Sequence, residues 1–473
     1  MKNSTRGKSL LAFLFCMVCV LSSIKPIEVR AEEYWPEGPE IEVPSAIVME
    51  VNTGAILYEK NSKVKAYPAS ITKILTTLCA LENSNMDEIV TFSHDAVYLN
   101  EANDTTHISR DVGEEMTMEQ CLYAVMLESA NECAYAVAEH VGEAKMGDYR
   151  TFIEMMNDRA KQLGCENTHF NNSNGLPDED HWTCAYDMAL ISAEAYRNED
   201  FRIITGTPTY TIPFTNKHTD AETYLSNHHK MLHYYKTDEY IYQYCTGGKT
   251  GYTEASGNTL VTYAEKDGMT LVCVVMNTKN PQHWLDTRIL LDYCFDNFQV
   301  MNISENETSI AGDTARDVGI LNENGPFVTL DTNAYVVLPK TASFEDAQFV
   351  LETGGEADTL AKFVYTYFGR EVGHVEIVTT GVHVTEPEYM ESVDDSESAE
   401  NEVRVVQIQP KLIFTIVLAV VVLVGIIYLI KVFFDSFYVR KHDREIKRAQ
   451  RNRFRHSRRS MGHSRRRKDR MFK

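Results

Sequence analysis

Nineteen consecutive residues, Leu412 to Ile430, carry no charge and are bracketed by Lys411 and Lys431. At about 1.5 Å per helical residue the run is roughly 28 Å long, close to the hydrocarbon thickness of a bilayer. It reads as a membrane-spanning helix over 411–431 rather than a buried core helix, because an acidic stretch precedes it and a basic one follows. From Arg440 to Lys473 there are 16 Lys/Arg against Asp443, Glu445 and Asp469, a net of +13. Subtracting that from the −22 of the whole chain leaves −35 for the residues before 440. Basic flanks stay on the cytoplasmic side, so residues 432–473 are expected inside and the acidic bulk outside. The tail suits anionic lipid headgroups. It lacks aromatic interleaving beyond Phe454 and Phe472, and the acidic exterior argues against nucleic acid as a partner.

At the other end Lys2, Arg6 and Lys8 precede an apolar run from Leu10 to Leu21, then Val29-Arg30-Ala31. This is the order of a secretory signal peptide over 1–31. Cys16 and Cys19 would leave with it, and eight cysteines remain in a compartment that permits disulfides. Cys79, Cys121, Cys133, Cys273 and Cys294 sit in apolar patterns and read as small buried hydrophobes. Cys165 and Cys184 lie in a loop-rich stretch and are the pair to test for a bridge. No Cys/His spacing suits zinc, so no metal or cofactor is expected, and His228-His229 reads as surface chain.

Between the ends, an acidic leader over 32–41 leads to a hairpin: Ser45–Val51 and Ala55–Glu59 flank Asn52-Thr53-Gly54. Tyr67-Pro68-Ala69 then delivers the chain to an apolar helical run, Ser70–Leu81. Further helices are expected at Thr117–Leu127, Glu132–Val141, Tyr149–Leu163 and Tyr186–Arg197. Strands follow at Gly248–Tyr252, Thr259–Glu265 and Thr270–Met276, then an amphipathic helix from Trp284 to Phe298. Helices enclosed between an N-terminal hairpin and a C-terminal strand group imply an α+β domain over 42–300, its sheet assembled from both ends. Residues 301–384 alternate in short segments, Ala334–Leu338, Ala347–Leu351, Phe363–Tyr367 and His374–Val378, and read as a β-rich domain. The acidic, serine-containing stretch over 385–410 reads as a solvated linker.

Three short motifs occur in order: Ser70-Ile71-Thr72-Lys73, Ser129-Ala130-Asn131 and Lys249-Thr250-Gly251. Ser62-Lys63-Val64-Lys65 also fits Ser-x-x-Lys, but Ser62 lies in a polar loop with no helix after it. Ser70 begins an apolar helix, where i,i+3 spacing sets Lys73 one turn on, beside the hydroxyl. A serine needs a neighbouring base to become a nucleophile, and a lysine serves if burial and a second cation disfavour its ammonium. Lys249 can be that cation, and Ser129 can pass the proton to the leaving amine while Asn131 fixes Lys73 and the substrate amide. Gly247, Gly248 and Gly251 would let an extended peptide lie along the strand edge. Its terminal carboxylate would meet Lys249 and Thr250, with backbone N–H groups at the helix start and at Tyr252 as the oxyanion hole.

On these residues the sequence resembles the low-molecular-mass penicillin-binding proteins, specifically the serine-type D-alanyl-D-alanine carboxypeptidases. The resemblance rests on Tyr67-Pro68-Ala69-Ser70-Ile71-Thr72-Lys73, Glu128-Ser129-Ala130-Asn131 and Gly248-Lys249-Thr250-Gly251-Tyr252-Thr253. It continues through Asn167-Thr168-His169-Phe170, Asn174-Gly175-Leu176-Pro177 and Tyr186-Asp187-Met188-Ala189. It implies a helical cluster on a five-stranded antiparallel sheet, followed by a small β-rich domain. It also implies removal of the terminal D-alanine from peptidoglycan stem pentapeptides through an acyl-enzyme on Ser70, and acylation of that serine by β-lactam antibiotics. Two departures stand out: a spanning helix replaces the family's amphipathic anchor, and His283 stands where such members often carry an arginine facing the substrate carboxylate. A class A β-lactamase shares the three motif types but needs a loop carboxylate as base. Glu166 is the candidate for that role, and its surroundings read as surface. A wall-binding protein without turnover is the non-enzymatic alternative.

Overall fold

The computed structural model describes residues 34–379, apart from 102–104, 307–320, 323–324, 327, 331–332 and 354–358. The expected signal peptide, linker, membrane span and basic tail lie outside these residues. Among the described residues no helix is long and apolar enough to cross a membrane.

The hairpin forms as expected, from β1 (Ser45–Glu50) and β2 (Ile56–Lys60). Its turn is held from beneath by Glu50, whose carboxylate accepts from the N–H of Thr53 at 2.7 Å and of Asn52 at 3.0 Å. Three strands near the end of the domain, β7 (Cys245–Thr253), β8 (Gly257–Lys266) and β9 (Met269–Thr278), complete an antiparallel sheet in the order β2-β1-β9-β8-β7. The shorter β3 (Ile89–Thr91) pairs β4 (Glu115–Thr117), and β5 (Thr209–Ile212) pairs β6 (Thr223–Ser226).

The sheet is buried on both faces, which is why β1 carries the unbroken apolar run Ala46–Met49 rather than an alternating pattern. Strand periodicity sorts its side chains. Ile47 and Met49 join Tyr263 and Val272 under the helices, whereas Ala46 and Val48 join Leu271 and Val275 on the other face. That second face is covered by the helix Gln282–Asn297 through Trp284, Leu290, Leu291 and Phe295.

On the first face the helices are α1 (Lys73–Asn83), α2 (His94–Glu101), α3 (Met118–Tyr123), α4 (Asn131–Ala144), α5 (Tyr149–Gln162), α6 (Ala185–Arg197) and α7 (Glu199–Gly206). Helix α1 buries every residue from Lys73 to Ala80, so it runs through the middle of the cluster rather than over it. The helix expected over Thr117–Leu127 is interrupted. Thr117 and Gln120 form a capping box for α3, and the chain then widens to a π-turn at Ala124–Glu128. Helices α2 and α7, at eight residues each, lie outside the helices expected from the sequence.

The eight described cysteines are all free thiols. Cys165 and Cys184 are not bridged, because each is engaged with Asp187. The Cys184 sulfur caps α6 by accepting from the Asp187 N–H at 3.4 Å, and the Cys165 thiol donates to the Asp187 carbonyl at 3.6 Å.

The alternating segments after residue 300 all overlap strands. The strand Tyr335–Pro339 pairs Phe298–Asn302, and a four-stranded sheet contains Gln348–Thr353, Thr359–Tyr367 and Arg370–Thr379. Their small core, including Val336, Phe344, Tyr365 and Val372, meets the hairpin through Tyr335. Its hydroxyl donates to Glu50 at 2.8 Å and accepts from Asn52 at 2.5 Å.

Asp286 on the C-terminal helix fastens the entering chain. Its buried carboxylate accepts from the N–H groups of Glu42 at 2.8 Å and Val43 at 2.7 Å, and from Gln282 at 2.7 Å. Asp286→Ala leaves those buried donors unpaired and is expected to lower stability by about 2–4 kcal/mol in urea unfolding.

Candidate active site

The chain reaches Ser70 under constraint. Ala69 sits at φ +52°, a left-handed conformation that costs a non-glycine residue about 1–3 kcal/mol. It is held by its neighbours: Thr259 Oγ1 donates to Pro68 O at 2.8 Å, and Ala66 exchanges two backbone bonds with Thr183. Gly175, at φ +87°, is packed so closely that a Cβ there would strike Ala69 O. A Cβ on Gly251 would lie 2.9 Å from Ser70 N, so the strand β7 and the serine's backbone are in direct apposition.

Ser70 opens a short 3₁₀ turn, Ala69–Thr72, that continues into α1. Lys73 is fully buried one turn on. Its Nζ lies 3.2 Å from Ser70 Oγ, 2.6 Å from Asn131 Oδ1 and 2.5 Å from Asn174 O. Burial, and next the charge of Lys249, hold its pKa well below the ordinary lysine range; Glu132 opposes them. A neutral amine has two N–H bonds for the two short contacts and a lone pair left for the serine proton.

Ser129 follows the π-turn at φ +61°, again left-handed, and this places Asn131 at the first position of α4. The Ser129 hydroxyl is buried without a hydrogen-bond partner among the described residues. A buried hydroxyl left unpaired at a strained position is a mark of a functional site.

The edge strand β7 supplies the third wall. Lys249 is buried, and its Nζ donates to Thr250 O at 3.0 Å. Burial lowers its pKa to about 7, with Glu128 pulling the other way. Glu128 in turn accepts from the Ser226 N–H at 2.7 Å and pairs with His228 at 2.8 Å. Gly251 faces Ser70, and Tyr252 next to it is 64% exposed. Ser70, Lys73, Ser129, Asn131, Lys249, Thr250, Gly251 and Tyr252 therefore lie on three converging segments.

Several sequence expectations change. Gly247 and Gly248 do not clear room for a peptide. A Cβ at 247 would stand 2.8 Å from Thr205 Cγ2, and one at 248 would stand 2.5 Å from His229 Nε2. His229 is therefore core, not surface. It is buried and held neutral, with a pKa lowered to about 3 by burial, and its Nε2 lies 3.0 Å from Thr262 Oγ1. His283 is also buried, tilted against the Trp284 ring with centroids 4.5 Å apart, rather than standing open at the strand edge.

The rival Ser62 is buried, and its hydroxyl donates to Glu59 at 2.8 Å. Glu166 is exposed. The Asn174 carbonyl escaped the sequence reading because a backbone acceptor leaves no side-chain signature. Among the described residues Asp111, Glu114 and His218 cluster as metal ligands would. The set does not fit a cation, because the Arg110 guanidinium already pairs with Glu114 Oε1 at 2.8 Å.

The profile of a family described as D-alanyl-D-alanine carboxypeptidase matches residues 32–280. The chain is 30% identical over 277 residues to D-alanyl-D-alanine carboxypeptidase DacF of Bacillus subtilis (strain 168), covering 57% of this chain and 66% of that protein. It is 29% identical over 264 residues to a D-alanyl-D-alanine carboxypeptidase of Streptomyces sp. (strain K15), covering 54% and 88%. The crystal structure of the Streptomyces K15 DD-transpeptidase superposes with a TM-score of 0.51 at 28% identity, over 55% of this chain and 100% of that one.

Gly175→Ala tests the apposition at Ser70. The added methyl has no room, so labelling of the protein by a fluorescent penicillin is expected to fall at least about tenfold.

Proposed function

The chain belongs to the D-alanyl-D-alanine carboxypeptidase family, and we propose that it removes the terminal D-alanine from peptidoglycan stem pentapeptides through an acyl-enzyme on Ser70. The observation that carries this reading is the buried Lys73 amine 3.2 Å from the Ser70 hydroxyl, with Asn131 and Asn174 taking its remaining hydrogen bonds.

Lys73, neutral, takes the Ser70 proton as Oγ attacks the carbonyl of the penultimate D-alanine. The developing oxyanion lies between the N–H groups of Ser70 and Tyr252. Collapse breaks the C–N bond, and the proton returns to the leaving amine from Lys73 by way of the Ser129 hydroxyl. Water then attacks the ester, with Lys73 accepting its proton; the acyl C–Oγ bond breaks, Lys73 returns the proton to Ser70 Oγ, and the shortened peptide leaves. Lys249 and Thr250 bind the terminal carboxylate, and Asn131 orients the substrate amide. A β-lactam acylates Ser70 by the same steps.

The remaining parts of the reading concern the cell. Leu412–Ile430 anchors the protein as a single span, with the catalytic domain outside and the basic tail against anionic lipid within; residues 301–384 form a β-rich domain beneath the peptidase domain. The charge difference, −35 before residue 440 and +13 from there on, supports the orientation of the span.

Ser70→Ala is expected to abolish both penicillin labelling and D-alanine release while leaving the protein folded. Covalent labelling that persisted would put the nucleophile elsewhere. The pH dependence has two limbs. Lys73 acts neutral with a lowered pKa, so kcat/KM rises as pH rises through it. Lys249 acts charged, so kcat/KM toward a free carboxylate falls as pH passes about 7. A rate that climbed steadily to pH 9 with no falling limb would remove the charge of Lys249 from carboxylate binding.

A further inference from the structure

The outer edge of β7 is open at one end and closed at the other. In an antiparallel strand the N–H and C=O of alternate residues point to the same side. Gly248 turns both groups away from β8 and toward helix α7. Its N–H donates to Thr205 Oγ1 at 3.0 Å, and the same hydroxyl donates to Gly248 O at 3.0 Å. One hydroxyl therefore does what a neighbouring strand would do, satisfying both outward groups of that residue. The pairing of β7 with β8 is regular from Gly247 to Thr253, so the residues that face outward after Gly248 are Thr250 and Tyr252.

Thr205 is fixed in place. It is fully buried near the end of α7, and its carbonyl accepts from Asn227 Nδ2 at 3.0 Å. The strand is thinned to receive it, since a Cβ on Gly247 would lie 3.0 Å from Thr205 O as well as against its methyl. Gly247 is thus explained by the approach of α7, and Gly248 by that of His229.

This geometry gives the substrate a direction, on the reading that Ser70 attacks a peptide lying along β7. The scissile carbonyl lies at Ser70 and Tyr252, and the terminal carboxylate lies at Lys249 and Thr250. One residue, the leaving D-alanine, occupies the edge between them. A residue added after it would have to pair with Gly248, whose two groups are taken. At the other end β7 runs out past Tyr252 to the turn at Ala255 and Ser256. There a groove of about 420 Å³, bordered by Lys65 and Trp182, leaves room for the rest of the stem.

We propose that Thr205 is a specificity-determining residue: its hydroxyl is an end-stop on the β7 edge that confines the enzyme to peptides ending in a free D-alanine and rejects those extended beyond it. The inference rests on the proposed carboxypeptidase activity and accounts for its being an exo-activity. It requires no contact between Thr205 and the reacting atoms.

The test uses the full chain in detergent with two synthetic substrates, a stem pentapeptide ending in D-Ala-D-Ala and the same peptide carrying one additional C-terminal glycine. Products are identified by mass, and penicillin labelling of Ser70 reports an intact site. The wild type is expected to release D-alanine and to leave the extended peptide largely uncut. Thr205→Ala, which unpairs both outward groups of Gly248, is expected to raise the kcat/KM ratio of extended to free peptide about tenfold, chiefly through KM for the extended one. Thr205→Ser keeps the oxygen and is expected to keep the wild-type ratio.

A wild type that cuts both peptides equally overturns the end-stop, as does a labelled Thr205→Ala whose ratio is unchanged. Loss of discrimination in Thr205→Ser overturns the assignment to the hydroxyl. A labelled wild type that releases no D-alanine from the free pentapeptide instead removes the carboxypeptidase reading itself.

Discussion

Everything at this site depends on one lysine being kept out of water. A fully buried ammonium is costly, by several kcal/mol even after relaxation, unless it is paired or gives up its proton. Among the described residues Lys73 has no carboxylate at hydrogen-bond distance; its contacts are a hydroxyl, an amide oxygen and a backbone carbonyl. Lys249 adds a second positive charge nearby, which favours the neutral amine further. The same burial that would make Lys73 a liability in a structural core suits it to the base role proposed for it beside Ser70. Its three hydrogen-bond partners come from three separate segments, at the turn before α1, the start of α4 and the loop at Asn174. The helical cluster exists, in functional terms, to bring those segments together and close them to solvent.

Holding that arrangement requires backbone conformations that the chain would not choose. Ala69 and Ser129 are both non-glycine residues in the left-handed region, one before the nucleophile and one in the second motif. At about 1–3 kcal/mol each, such strain is affordable only because the surroundings are closely packed. The supports can be named: Gly175 against Ala69, Thr259 on Pro68, and the all-buried helix α1 beneath. The Ser129 hydroxyl, unpaired among the described residues, belongs with these costs, and the proposed mechanism gives it a proton to relay.

The sheet contributes through its edge. Because the N-terminal hairpin lies in the sheet beside β9, β7 is left at the margin, where its backbone is available to a ligand. A free edge is unselective in itself. Helix α7 and Thr205 occupy part of it, so the protein uses one element to supply a binding edge and another to limit its length. His229 supports the same stretch from below, filling the space in which a side chain at 248 would stand.

Much of this was legible in local pattern. Hydrophobic periodicity, a glycine turn and the proline before Ser70 placed the hairpin, α1 and the strands β7 to β9. The position of Ser70 at the start of an apolar helix, with Lys73 one turn on, separated it from Ser62 without any knowledge of the fold. What local pattern could not reach was long-range. The Asn174 carbonyl, the Thr205 hydroxyl and the His229 ring act through positions set by chain 33 to 101 residues away in sequence. The glycines at 247 and 248 read in the sequence as room for a peptide, whereas Thr205 and His229 are what approach them. The sequence alone determined the residue types, their order and the charge asymmetry across the chain, because these are one-dimensional facts. Only the tertiary structure decided that Lys73 is dry, that Ser129 is unpaired and that the strand edge is closed at one end, because solvent exclusion and hydrogen-bond completion depend on which distant segments meet.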